Sequence, residues 1–243
     1  PAAGDFKIGD AVFGDISGHG WGGFAEYVCV PESVLAPISP GMSFIQAASV
    51  PQAGLMALAG LRDVKAGQVV LLNGAGGGVG TIGIQLAKSS GAEVIAVDSA
   101  LKQQAMLDLG ADRVIDYTET DFTQTGDRYD LILDVVANRS IRDYQRALTP
   151  HGTFSMIGGS TRTILRVLGF GSIASRRSSK SIGIVPLLPN RKDLLELNSH
   201  FESGSFAPVI DSVFPLNDTR DAFARFGTAG HFGKIVIRIG DEE

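Results

Sequence analysis

From Gln68 onward the chain alternates short apolar runs with stretches of helical period. The runs Val69–Leu72, Val94–Val97, Leu131–Val136 and Phe154–Ile157 are apolar on both faces, as suits strands of a parallel sheet covered on both sides. Helices fit between them at 79–90, 101–109 and 140–148. Strands and helices alternating at this spacing predict a doubly wound parallel sheet of βαβ units. Beyond Gly158 the order is less regular. The segment 162–180 mixes apolar residues with five Arg/Lys, Ile182–Val185 reads as a strand, Asp193–Phe201 as a helix and Lys234–Ile239 as a closing strand. The first forty residues differ in character. Ala11–Phe13 and Tyr27–Val30 read as strands on either side of the Gly-rich turn 17–23, as in an all-β domain. Ser43 with Gln46 three residues on forms a capping box, opening a helical stretch that Pro51 interrupts and that resumes through Leu61. There is no internal repeat and no low-complexity tract.

Composition narrows the function classes. The 243 residues are 44% hydrophobic and 19% charged, which suits one large or two modest globular domains. Glycine, at 31 residues, is nearly twice the ~7% of an ordinary domain, and so much glycine implies backbone that turns tightly or approaches a ligand closely. A net charge of −5 leaves no broad basic face for a nucleic acid or an anionic membrane; the basic run Arg176, Arg177 and Lys180 is too short to change that. One cysteine, Cys29, excludes a disulfide framework and any zinc site built from several thiolates, and points to a reducing compartment. No apolar run approaches the ~20 residues of a membrane span and no leader pattern opens the chain. A cytoplasmic protein with a small-molecule partner is expected.

The strongest local signal is Gly74-x-x-Gly77-x-x-Gly80, set between the apolar strand Val69–Leu72 and the helical run Val79–Lys88. In that context the first glycine allows the tight turn, the second lets backbone reach a pyrophosphate, and the third lets helix and strand pack. The helix start, with Gly78 and Val79, then offers free N–H groups and partial positive charge to phosphate. The alternative is a Gly-rich turn without a ligand. Eighteen residues after Gly80 the second strand ends at Asp98, close to the ~20-residue offset at which an acid holds an adenosine ribose, which favours NAD. Ser99 and Lys102 follow at once, and a hydroxyl with an ammonium suits a 2′-phosphate instead. The bland alternative makes Ser99 a helix cap and Lys102 a solvated side chain.

With these residues in hand the chain resembles the medium-chain dehydrogenase/reductase superfamily, specifically its zinc-independent, NADPH-dependent quinone oxidoreductase branch. The resemblance spans essentially all 243 residues and is carried by 7–14, 22–28, Pro51 with Ala53–Gly54, 73–80 through 85–88, 109–112 through 116–117, 208–211, 215–216 and 231–236. It implies an α/β fold in which a Rossmann domain is inserted into a β-rich, GroES-like catalytic domain built from both chain ends, with the substrate cleft at their junction. On that basis residues 1–41 are a partial β-rich catalytic domain, 42–185 the Rossmann domain, and 186–243 the return to the catalytic domain. Family members carry a further N-terminal stretch, so the catalytic domain is expected to be incomplete here, and no general acid is named.

Zinc-dependent members place a cysteine ligand four residues before a threonine that touches the nicotinamide; the matching positions hold Gln52 and Met56, so no metal is expected. In NADPH-dependent quinone reductases a lysine shortly after the second strand and a tyrosine fifteen residues later meet the 2′-phosphate, and Lys102 and Tyr117 match that spacing. Asp98, where relatives usually carry glycine or cysteine, is the departure. NADP(H) is favoured on the lysine and tyrosine together. The resemblance also places the loop after Asp134, with Asn138, and the loop Gly158, Gly159 and Ser160, beside the nicotinamide ribose, in keeping with ligands binding outside the carboxyl ends of such strands.

His19 and His151 read as turn residues, His200 as surface, and His231 as part of the closing motif. Trp21 and Phe24 are either the wall of an aromatic pocket or β-domain core. The expected activity is hydride transfer from NADPH to a quinone or an α,β-unsaturated carbonyl by a homodimer, with Ser181–Val185 as a candidate edge strand. Two rivals stand beside it: an NADPH-binding sensor or structural homologue without turnover, and an NAD-linked dehydrogenase.

Overall fold

The computed structural model describes residues 4–176, 178–186 and 188–240, so Arg177 of the basic run lies outside the described residues. The chain divides into two compact units, Pro1–Leu55 with Leu187–Glu243, and Met56–Pro186. In chain order the first unit contributes β1 (Val12–Gly14), β2 (Leu35–Pro37), α1 (Phe44–Ser49) and the start of α2 (Pro51–Leu61). The second holds β3 (Val69–Asn73), α3 (Gly78–Ser89), β4 (Glu93–Asp98), α4 (Gln103–Asp108), β5 (Arg113–Asp116), β6 (Tyr129–Asp134), α5 (Ile141–Ala147), β7 (Leu148–Met156), α6 (Thr161–Arg176) and β8 (Ser181–Ile184). The chain then returns to the first unit with α7 (Arg191–Glu202), β9 (Ile210–Pro215), α8 (Thr219–Gly227) and β10 (Lys234–Arg238).

In the first unit β1 and β2 form an antiparallel pair and β9 and β10 a parallel one. Ser43 opens α1 with both arms of its capping box in place: its Oγ accepts from the Gln46 N–H at 3.2 Å and the Gln46 Oε1 accepts from its own N–H at 2.9 Å. Helix α1 lies against β1, β9 and β10, and 42–55 falls in the first compact unit. A methyl on Gly54 would come within 2.9 Å of Leu197, so α2 and α7 approach closely there, and Asn198 of α7 donates to the Pro37 carbonyl at 2.8 Å. The strand expected at Tyr27–Val30 does not form. Tyr27 is 90% and Val28 52% exposed, and β1 takes β2 as its partner, so the alternation has no neighbour to pair with among the described residues.

The second unit is a six-stranded, wholly parallel sheet in the order β5-β4-β3-β6-β7-β8. Numbered from its own first strand this is 3-2-1-4-5-6, the dinucleotide-binding order, whose topological switch point lies between β3 and β6. The apolar runs are buried as expected: Val70, Leu71, Val94, Ile95, Val97, Ile132 and Phe154 are fully enclosed, and Phe122, Tyr129 and Tyr144 join Leu71, Ile95, Val97, Ile132 and Phe154 in one cluster. The irregular stretch after Gly158 is α6, which buries Thr163 and Val167 and exposes Leu165, Leu168 and Phe170. Among the described residues no helix is long and apolar enough to cross a membrane.

Candidate functional site

The glycine turn sits at the carboxyl end of β3, next to the switch point. Gly74 adopts a φ of 82°, a left-handed conformation that a side chain disfavours. The N–H groups of Gly74 and Ala75 donate to the Val97 carbonyl at 3.0 and 3.1 Å, tying the turn to β4. Gly77 precedes α3 in extended conformation, and the Thr81 N–H reaches back to its carbonyl at 2.9 Å. The N–H groups of Gly78, Val79 and Gly80 therefore stand at the helix start without intrahelical acceptors, where the dipole adds positive potential. The space around the two glycines differs. A Cβ on Gly80 would lie 2.3–2.5 Å from Ala75 backbone atoms, whereas one on Gly77 would meet nothing nearer than the Gly74 carbonyl at 3.5 Å. Gly80 is needed for packing, and Gly77 leaves backbone open to a ligand.

At the end of β4, Asp98 and Lys102 are both buried, 8% and 7% exposed, and they pair with each other at 3.1 Å. The Asp98 Oδ2 accepts from the Gly76 N–H at 2.8 Å and its Oδ1 from the Ser99 N–H at 2.8 Å. The Lys102 stem lies over the turn, with Cδ 2.4 Å from where a Gly76 side chain would begin. Lys102 is thus not a solvated side chain. Nor is Ser99 a side-chain cap: it precedes the 3-10 turn 100–102 without a capping hydrogen bond. Tyr117, half exposed, follows the end of β5 and donates its N–H to the Asp98 carbonyl at 3.3 Å, which brings it to the same strand ends.

Across the switch point, Asn73 ends β3 and Asp134 ends β6, paired in register. The fully buried Asp134 carboxylate accepts from Asn73 Nδ2 at 2.8 Å, Tyr144 Oη at 2.8 Å and the Val136 N–H at 3.0 Å. Burial pushes the Asp134 carboxyl above the usual carboxylate range, with its three donors opposing. Burial beside Asp134 likewise pushes the Tyr144 phenol well above its ordinary value. This network holds the two strand ends together, and sequence reasoning missed Asn73 and Tyr144. The available signal was a polar Asn closing an otherwise apolar strand.

The loops after β6 and β7 also meet. The Ala137 N–H donates to the Gly158 carbonyl, and the Ser160 N–H to that of Ala137, each at 3.0 Å. A Cβ on Gly158 or Gly159 would strike the Val135 or Ala137 carbonyl at 2.6 or 2.3 Å. Asn138 is exposed at that edge, and its Oδ1 accepts from Arg139 at 3.0 Å. Ser160 has a local role, its Oγ accepting from the Thr163 N–H at 3.3 Å at the start of α6.

In the first unit Trp21 and Phe24 line an open pocket of about 410 Å³ with Asp15, Ser49, Gln52 and Lys234, so they are pocket wall rather than core. Burial pulls the Lys234 amine below its ordinary value, with Asp15 opposing. His231 stacks on Phe226 with ring centroids 5.2 Å apart.

The family profile described as zinc-binding dehydrogenase matches residues 109–237, more than half of the chain. The chain belongs to the medium-chain dehydrogenase/reductase superfamily. Within it the chain falls in the quinone oxidoreductase-like branch. It is 31% identical over 95% of its length to a 2-methylene-furan-3-one reductase of Solanum lycopersicum, and 30% identical over 96% to an NADPH-dependent alkenal/one oxidoreductase of Arabidopsis thaliana. It spans 58% of the length of each of these relatives. The quinone oxidoreductase of Coxiella burnetii superposes with a TM-score of 0.86 at 29% identity, over 98% of this chain and 75% of that one.

The matched family profile carries zinc in its description. Among the described residues no three His, Cys, Asp or Glu side chains converge, and the one thiol, Cys29, is exposed. Gln52 and Met56, one turn apart on α2, supply no thiolate.

Proposed function

We propose that this dehydrogenase/reductase transfers a hydride from NADPH to a quinone or an α,β-unsaturated carbonyl without zinc. The observation that carries the reading is the glycine turn at the switch point, with the open N–H groups of α3 on one side and, on the other, the Lys102 stem lying over Gly76 with its ammonium paired to Asp98. Backbone at Gly77, Gly78, Val79 and Gly80 holds the pyrophosphate, while Lys102, with Ser99 and Tyr117 beside it, receives the adenosine 2′-phosphate. Asn138, Gly158, Gly159 and Ser160 form the edge that faces the nicotinamide ribose. The names of the alkenal/one oxidoreductase and furanone reductase support the cofactor and the acceptor class. When bound, the reduced nicotinamide would supply the hydride to the β-carbon of an enone, with the proton for its α-carbon drawn from solvent water.

The same reading takes the protein as cytoplasmic, on its lone Cys29, and as a homodimer joined through β8, the edge strand of its sheet. Oxidation of NADPH followed at 340 nm with a quinone and with an enone tests the activity. Acceptor-dependent turnover supports it, tight NADPH binding without turnover converts the protein to a sensor, and turnover with NADH alone makes it an NAD-linked enzyme. Light scattering of the purified chain tests the dimer.

A further inference from the structure

The acid that closes the second strand of a dinucleotide fold ordinarily accepts hydrogen bonds from the ribose hydroxyls. A carboxylate offers about four acceptor positions. On Asp98, the Gly76 N–H, the Ser99 N–H and the Lys102 ammonium take three, and the side chain is almost wholly enclosed. All three donors belong to the turn and the strand end themselves. Lys102 in turn has three N–H donors, of which at least one is engaged by Asp98.

Resting on the NADP(H) reading above, we infer that Asp98 is a specificity-determining residue that acts through Lys102 and not a ribose ligand. It fastens the ammonium to the glycine turn and competes with a 2′-phosphate for it. An acid expected to select NADH is turned inward and does not select it. What it does instead is limit the advantage of NADPH, because a phosphate arriving at Lys102 shares that cation with a carboxylate of its own sign. Gly76 completes the device, since any side chain there would displace the Lys102 stem.

The test is a set of parallel NADPH and NADH titrations of the 243-residue chain by nicotinamide fluorescence at fixed ionic strength, for the unchanged protein, Asp98→Asn and Lys102→Met. Asparagine keeps an acceptor for Gly76 and removes the charge. Asp98→Asn is expected to tighten NADPH about fivefold, while NADH moves less than about twofold. An Asp98→Asn protein that loses about tenfold in NADH affinity with NADPH unchanged returns the acid to the ribose, and one that weakens NADPH makes it a helper rather than a competitor; either result overturns the inference. Lys102→Met reads the cofactor assignment separately. It is expected to cost about tenfold in NADPH affinity, and no loss there sinks the 2′-phosphate site itself. Amide exchange at Gly76 in the cofactor-free chain checks the inward bond from Gly76 to Asp98 alone. It should accelerate in Asp98→Ala and stay unchanged in Lys102→Met, and retained protection in Asp98→Ala refutes it.

Discussion

Two glycines three residues apart in one turn are predicted to fail in opposite ways. At position 80 an alanine Cβ would sit 2.3 Å from the Ala75 Cα and 2.4 Å from its carbonyl oxygen. Both are backbone atoms that no rotamer change can move. Restoring an ordinary 3.4 Å contact requires α3 to withdraw from the turn by about 1 Å. Thr81, Ile82, Ile84, Leu86 and Ala87 are buried on that helix, and all would be drawn from their contacts. A gap of that size forfeits about a quarter to a half of each dispersion well, and overpacking costs about 1–3 kcal/mol before this loss is added. Alanine returns only about 1 kcal/mol of helix propensity. The net expectation for Gly80→Ala is a destabilisation of about 2 kcal/mol, a fall of about 4–8 °C in the melting of the α/β unit. At position 77 the backbone is extended and the nearest atom to a new Cβ is 3.5 Å away. Gly77→Ala should therefore stay within about 1 kcal/mol of the unchanged chain and lose about tenfold or more in NADPH affinity, because the methyl occupies the approach to the pyrophosphate. Urea unfolding and fluorescence titration of both variants decide it. A Gly80→Ala protein as stable as the parent, or a Gly77→Ala protein whose lost binding follows lost stability, refutes the division of roles.

Tyr144→Phe removes the phenol that donates to the buried Asp134 carboxylate, and it should cost about 1.5–3 kcal/mol at pH 7 by denaturant unfolding. Because burial raises the Asp134 pKa in the folded state, the charged form is the penalised one; the deficit of the variant should be greatest above that raised pKa and shrink as the pH falls through it. The Asp211 carboxyl is held far below its usual range, first by Arg225, with the Phe232 N–H and Ser212 adding to it. Its stabilisation is present above the unfolded value of about 4 and is lost as the pH falls through the folded one. Arg225→Met should thus lower the melting temperature at pH 7, with the difference narrowing below about pH 4. Ser140→Ala breaks the capping box with Asp143 at the start of α5 and should cost about 1 kcal/mol, with circular dichroism melting as the readout.

The parallel sheet was legible because its strands are buried on both faces and read as unbroken apolar runs. Alternation depends on a partner, and Tyr27–Val30 shows the consequence: the residue types suit a strand, but pairing is settled by what lies alongside. Strand β5 was hidden because Arg113 and Asp116 leave it only two apolar residues, too few for any period to register. Helix α6 was hidden because its exposed Leu165, Leu168 and Phe170 blur the apolar stripe on which helix recognition rests. At the site, the glycine spacing announced the turn. The direction in which Asp98 faces could not be read, since the same residue type at the same offset either reaches toward the ribose or folds back on Gly76. Asp134 with Asn73 and Tyr144 joins residues 61 and 10 positions apart, and no local pattern carries that information.

Adjacent strands of this sheet close on Asp116, Asp98, Asn73 and Asp134. Three carboxylates along the edge proposed to receive a pyrophosphate would, if they faced outward, oppose the binding that the α3 dipole favours. Each is instead committed to its own chain. Asp116 accepts from the N–H and hydroxyl of Thr118, Asp98 from Gly76, Ser99 and Lys102, and Asp134 from Asn73, Tyr144 and Val136. The acids shape the loops, and the groups at the switch point left without intrahelical acceptors are the backbone donors at the start of α3. An acidic row of strand ends is thereby compatible with an anion site, because the sign a ligand meets is set by which groups retain unused hydrogen-bonding capacity and not by the formal charge of the residues beneath.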